Sequence, residues 1–208
     1  MTRTWFVCVV ALAACGGKKD ADKGGDKGAD KAGGGDKATG DIDVAGVNAL
    51  VPASLKDKIV FEKRAIVIEQ GRDKTTYTMA VPKTWTQEGK MFAHIKADSA
   101  GGFFSGIEVG SNCDGSCEPK DWEKIADKVN FQPRMTGKVT KDDKAKGRRT
   151  MIADVEFSGS HMTDVVVATW KDGASKYFAC TAKLDESIKE AAPAFEKACS
   201  VVNVDGDD

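Results

Sequence analysis

The sequence predicts an α+β domain, an antiparallel β-sheet covered by helices, and three observations carry that expectation. Residues 151 to 157 alternate, with Met151, Ala153, Val155 and Phe157 set against Ile152, Asp154 and Glu156, the period-two pattern of a strand with one buried face. Two further β-rich runs follow, the valine-rich Thr163 to Trp170 and then Lys176 to Ala182. Between them Asp172-Gly173 supplies the positive φ that a tight hairpin turn requires. Strands thus come in a group instead of alternating strictly with helices, and grouped strands form antiparallel sheets.

The other elements follow in order. Lys58 to Gln70, Thr75 to Val81, Met91 to Ala97 and Phe103 to Val109 read as strands. Asp121 to Phe131 reads as an amphipathic helix, because Trp122, Ile125, Ala126 and Val129 recur on one face at helical spacing. Lys141 to Arg149 is dense in charge and contains Gly147, which predicts a solvated hairpin. Beyond the three late strands, Asp185 is suited to cap a helix through Glu186, Ile188, Ala191 and Ala192, with Pro193 ending or kinking it before a further turn through Phe195 and Ala198. Trp85, Trp122, Phe157 and Trp170 fall at or beside amphipathic elements, which assigns them to the core in preference to a ligand groove.

The run Tyr77-Thr78-Met79-Ala80-Val81-Pro82-Lys83-Thr84-Trp85, a strand followed by Pro-x-x-Trp, resembles the opening of PsbP-like domains. The helix after the mid-domain loop, the three late strands and the closing helix with Cys199-Ser200-Val201 are similar to that family too, so the resemblance covers about Thr75 to Val204. It implies a PsbP-like fold. It also implies a binding role, since the family comprises photosystem extrinsic subunits, an import factor that binds a small GTPase, and bacterial envelope proteins. No functional residue carries over, because neither a metal site nor a partner surface of that family is recognisable in this chain, and a shared fold leaves function open.

The N-terminus carries an address. Arg3 precedes an apolar run from Trp5 to Ala14, shorter than the ~20 residues a bilayer-spanning helix needs but matched to the apolar part of a secretory signal. Leu12-Ala13-Ala14-Cys15 resembles the lipobox of bacterial lipoproteins. By that resemblance residues 1–14 are removed as a signal peptide and Cys15 becomes the first residue, with diacylglycerol on its sulfur and a fatty acyl chain on its amino group. At about 0.8 kcal/mol per buried methylene, two or three chains hold permanently where one does not. Gly16 stands where enteric lipoproteins retained at the inner membrane carry aspartate, so the resemblance points to the outer membrane, facing the periplasm.

Residues 16–40 are almost wholly Gly, Lys, Asp and Ala in a loose Asp-Lys-Gly repeat, with nothing apolar and large enough to offset the entropy of ordering. They form a disordered linker whose root-mean-square reach is roughly 25–30 Å. Lysine and aspartate alternate nearly one for one, and the whole chain has a net charge of −1, which argues against nucleic acid as a partner. The domain then runs from residue 41 to 204, with an acidic tail at 205–208. The expected partners are the membrane, through the lipid, and an envelope protein.

Four cysteines follow the linker: Cys113, Cys117, Cys180 and Cys199. An even number in an oxidising compartment implies disulfides, and four cysteines allow three pairings. Cys113–Cys117 and Cys180–Cys199 are favoured, because Asp114-Gly115-Ser116 is turn chemistry and because Cys180 shares a strand face with Phe178 and Ala182, which the helix ending near Cys199 would cover. A redox pair would show Cys-x-x-Cys at a helix start, and a zinc site would show a short knuckle on both sides. Neither spacing is present.

Asn112, Asp114, Glu118 and Asp121 are calcium-ligand types but lack the spacing of an EF-hand, so a solvated acidic loop with Glu118-Pro119 opening the next helix is the simpler reading. His94 and His161 sit in no catalytic motif, and Gly101-Gly102 lacks a phosphate-loop lysine. No catalytic residue, metal ligand or cofactor is therefore assigned. The expectation is a membrane-tethered, non-catalytic binding or assembly module. The alternative is an envelope hydrolase or redox enzyme whose site is assembled only in space.

Overall fold

The computed structural model describes residues 41–70, 73–95, 104–126, 137–157 and 159–206. Residues 1–40, with the expected signal peptide, Cys15 and the expected linker, lie outside the described residues, as do residues 127–131 of the expected helix, the strand ends at 96, 97 and 103, Gly101-Gly102, and 207–208 of the tail.

The elements are α1 (Val44–Ala49), a 3-10 turn (Ala53–Leu55), β1 (Phe61–Gln70), β2 (Asp73–Pro82), β3 (Thr86–Glu88), β4 (Met91–Ile95), β5 (Phe104–Asn112), α2 (Trp122–Ile125), β6 (Gly137–Ala145), β7 (Arg148–Phe157), β8 (Ser160–Thr169), β9 (Tyr177–Asp185), a second 3-10 turn (Lys189–Ala191), α3 (Ala192–Ser200) and β10 (Asn203–Gly206). They build a sheet-dominated α+β fold. One sheet has strand order β1-β2-β10, and the other has β3-β4-β5-β9-β8-β7-β6. Every pairing is antiparallel.

Alternation gives the larger sheet two faces. On β9, Phe178, Cys180, Ala182 and Leu184 point to one side, where they join Ile107, Val109, Val165 and Val167, the smaller sheet, α1 and α3 in the main core. Phe195 of α3 is the hub: its ring meets Phe61 edge-on at 5.0 Å and stacks on Trp85 at 5.3 Å. The opposite face carries Met151, Ala168, Trp170 and Tyr177 under Trp122 and Ala126. Trp85, Trp122 and Trp170 are thus buried core residues, while the side chain of Phe157 lies outside the described residues.

Local chemistry explains the ends of the elements. Asp43 caps α1 by accepting from Gly46 N at 2.8 Å, and Asp121 caps α2 by accepting from Lys124 N at 3.2 Å. Asn48 holds the first residue of β1 as a neighbouring strand would, accepting from Phe61 N at 2.8 Å and donating to Phe61 O at 3.0 Å. Arg64 turns inward, donates to Trp85 O at 2.7 Å and lies 4.3 Å from the centre of the Phe92 ring.

Several expectations need correction. Asp172-Gly173 is not a two-residue hairpin turn, because residues 170–176 all lie between β8 and β9. That connection is drawn out to meet the mid-domain loop: Lys120 N and Trp122 Nε1 both donate to Ala174 O, at 3.2 and 2.7 Å, and Gly173 N donates to Lys120 O at 3.0 Å. Asp185 caps no helix. It ends β9 and accepts from Ser187 N and from the Ser105 hydroxyl. Pro193 does not break a helix either; it sits in the first turn of α3, where a missing N–H costs nothing. The expected hairpin over Lys141 to Arg149 turns at Lys146-Gly147, but its first strand begins earlier, at Gly137. Arg149, expected in solvent, is buried. Its guanidinium grips Asp142 through two hydrogen bonds of 2.9 and 2.8 Å and donates a third, of 2.9 Å, to Ala126 O. Sequence reading missed α1, β3 and β10, which are all short.

Candidate functional site

The β7–β8 hairpin lines an open cleft. Phe157 pairs with Ser160 across a two-residue connection, and Gly159 there adopts φ +78°, a conformation that glycine reaches without strain. The register then sets Glu156 opposite His161 and Asp154 opposite Thr163. Residues two apart along a strand share a face, so all four project to one side. Ile152 and Val165, the next pair along, face the main core, which places the four on the core side, just beyond its edge.

The chain after β9 closes the cleft. Glu186, just after β9, and Lys189, at the start of the 3-10 turn, lie against the hairpin, leaving an open volume of about 400 Å³, at the lower end of the range for small-molecule sites. Lys189 Nζ lies 2.5 Å from Glu186 Oε1. That hydrogen bond, aided by the charges of Glu186, Asp154 and Glu190, raises the Lys189 ammonium above its ordinary range. Thr163 is only 6% exposed. Asp154 and Glu156 are exposed and close no ion pair among the described residues. The cleft is therefore an acidic concavity that holds one ammonium, that of Lys189, paired with Glu186.

His161 gains a setting that its sequence neighbours did not suggest. Its signal was the Ser158-Gly159 pair, since a two-residue turn at that point fixes both cross-strand partners. His94 is exposed on β4.

The cysteines stand in two disulfides. Cys113 and Cys117, with Cα atoms 4.7 Å apart, close a small exposed loop. Cys180 and Cys199, 5.3 Å apart, tie β9 to α3 inside the main core. The oxygen-rich loop beside the first pair is turned to other uses. Asn112 accepts from Asp114 N at 2.9 Å, Asp121 pairs with Lys124 Nζ at 2.5 Å, and the Lys120 ammonium takes the carbonyl oxygens of Cys113 and Asp114. A lysine thus holds the position a cation would fill. Among the described residues no three His, Cys, Asp or Glu side chains converge on one point as metal ligands would.

One carboxyl is set apart by its environment. Asp164 is buried on the opposite face of the sheet from the cleft, and burial holds it above the usual carboxylate range, opposed by the charge of Lys183, its partner in register on β9.

No known protein family matches the chain, and no curated protein matches it either. No helix among the described residues is long and apolar enough to cross a membrane.

Proposed function

We propose that this chain is a lipoprotein of the bacterial envelope, anchored through Cys15 to a membrane, outer and periplasm-facing, and that its domain is a non-catalytic binding or assembly module with a PsbP-like fold. Two sequence features support the first part: the Leu12-Ala13-Ala14-Cys15 run behind an apolar stretch, and the residue 16–40 composition that suits a leash. The strand-then-Pro-x-x-Trp opening and the late-strand and helix order support the family likeness.

One observation favours binding over catalysis. General acid–base chemistry needs a titrating group within hydrogen-bond reach of the proton it moves, oriented there by a partner. Asp164, the carboxyl that burial displaces upward, projects from the face opposite the cleft, and Lys189 is committed to Glu186. The cleft offers charge and hydrogen bonds to a ligand, and among the described residues no hydrogen bond joins His161 to a hydroxyl or carboxylate as a base is joined to its nucleophile or orienting partner.

The test is a pull-down of the native lipoprotein from gently solubilised envelopes, followed by rebinding of the recovered component to purified protein. One stoichiometric component that rebinds with the chain unchanged supports the proposal. Recovery of nothing, together with hydrolysis or thiol exchange that tracks the purified protein, would overturn it.

A further inference from the structure

We infer that the outer edge of β1 pairs with the same edge of a second copy of this chain, antiparallel and centred on Ile66, joining the two three-stranded sheets into one. The inference concerns self-association and is independent of the anchor and of the cleft.

An open sheet edge is a template for pairing, and folds blunt such edges with short strands, bulges or charge. The two sheets end in β1, β10, β3 and β6, and all but β1 are blunted. β3 is 3 residues long and β10 is 4, while β6 carries a register shift between Val139 and Lys141 among its charges. β1 runs for 10 residues with no proline, glycine or register break. Its first residue fixes which backbone groups face out. Phe61 N–H and C=O both engage Asn48, whereas the carbonyl of Val60, one residue earlier, accepts from Lys83 N on the β2 side. Backbone groups alternate in direction along a strand, so those of Lys63, Ala65, Val67 and Glu69 face outward as well, and among the described residues they have no partner beyond the β1–β2 pairing. Asn48 closes the edge at Phe61, which leaves a stretch from Lys63 to Glu69 whose midpoint is Ile66.

That stretch is complementary to itself. A two-fold axis at Ile66 sets Lys63 opposite Glu69 and Ala65 opposite Val67, each pair exchanging both of its backbone hydrogen bonds. The four side chains share one face and all are exposed, Val67 by 47%. Pairing therefore builds an apolar centre from both copies of Ala65 and Val67, with an opposite-charge pair at each end. In the single chain those charges have only surface partners, Lys63 with Asp41 at 3.0 Å and Glu69 with Lys74 at 3.8 Å, every one of these side chains more than half exposed. Exchanging such pairs costs little. A slip of two residues toward Phe61 would set Lys63 against Val67 and bring Glu69 to Phe61, whose backbone Asn48 already holds.

Sedimentation equilibrium of the full chain tests this. A monomer–dimer equilibrium with Kd about 0.1 mM is expected, because a single strand edge buries less than a standard interface. Lys63→Glu and Glu69→Lys each oppose like charges twice per dimer and should raise Kd about three- to thirtyfold, whereas the two together restore both pairs and should return Kd to within about twofold of wild type. Ala65→Pro removes an outward N–H and spares the ladder to β2, so it should abolish the dimer with tryptophan fluorescence unchanged. Monomer alone up to about 1 mM, a dimer indifferent to either charge reversal, or a dimer that the double reversal fails to rescue would overturn the inference. A monomeric result would leave the envelope pull-down, which tests the binding-module reading, untouched.

Discussion

Replacing Cys180 and Cys199 together by alanine is expected to cost the domain about 4 kcal/mol. The two lie 19 residues apart in sequence, and the chain-entropy relation assigns a loop of that length about 3 kcal/mol. Cys180 is 0% and Cys199 2% exposed within the core that joins both sheets to α3, so losing both sulfurs leaves a void worth about 1 kcal/mol more. The separation for Cys113 and Cys117 is 4, which predicts about 2 kcal/mol for their double replacement, with no void term in an exposed loop. For a domain of this size these costs lower the melting temperature by about 8–16 °C and about 4–8 °C respectively. Urea unfolding followed by tryptophan fluorescence measures both, since Trp85 stacks on Phe195 in the core that the buried bond joins. The urea dependence should also steepen in each variant, because an uncross-linked unfolded chain exposes more surface. If loss of the exposed pair destabilised the domain as much as loss of the buried pair, the assignment of Cys180–Cys199 as the bond holding sheet to helix would be refuted.

Other substitutions probe the polar interior. Asp142→Asn should destabilise the domain by about 2 kcal/mol by leaving the buried Arg149 guanidinium with a poorer partner, whereas Arg149→Met, which removes the charge and keeps the volume, should cost less. Hydrogen bonding to Arg149 holds Asp142 below its ordinary range, so its contribution is present above the unfolded carboxyl value of about 3.9 and is lost as pH falls through the lower folded value; urea midpoints of wild type and Asp142→Asn should converge there. Asp164 has the opposite sign: its folded value is raised, so stability is lost as pH rises from about 3.9 through that value. Asp164→Asn should therefore stabilise the domain at neutral pH and be neutral in strong acid, and a destabilising effect at neutral pH would contradict the burial argument.

Sequence reading recovered the elements whose burial is regular. β7, β8 and β9 alternate or run apolar because a whole face of each is covered, and that pattern survives without knowledge of the neighbours. It missed β6 before Lys141, because an edge strand rich in Lys138, Lys141, Asp142, Asp143 and Lys144 has little to bury and carries the charges that keep sheet edges from pairing. Arg149 looked solvated for the same reason. Its burial depends on Asp142 and Ala126, which meet it only once β6 folds onto β7 and α2 lies across them. Pro193 was read as a stop because proline breaks helix interiors, whereas β9 runs on to Asp185 and so moves the helix start to Ala192. The cleft was the least legible part. Asp154, Glu156, His161 and Thr163 come from two strands and become neighbours only through the register at Gly159, while Glu186 and Lys189 arrive from a turn that sequence assigned to a helix.

Mass spectrometry of the undigested protein isolated from its native host tests the proposed anchor most directly. A species starting at Cys15 and heavier than its polypeptide by a diacylglyceryl group plus one amide-linked fatty acid is the predicted result. A chain that retains Met1, or one that starts elsewhere with no fatty material attached, would contradict it.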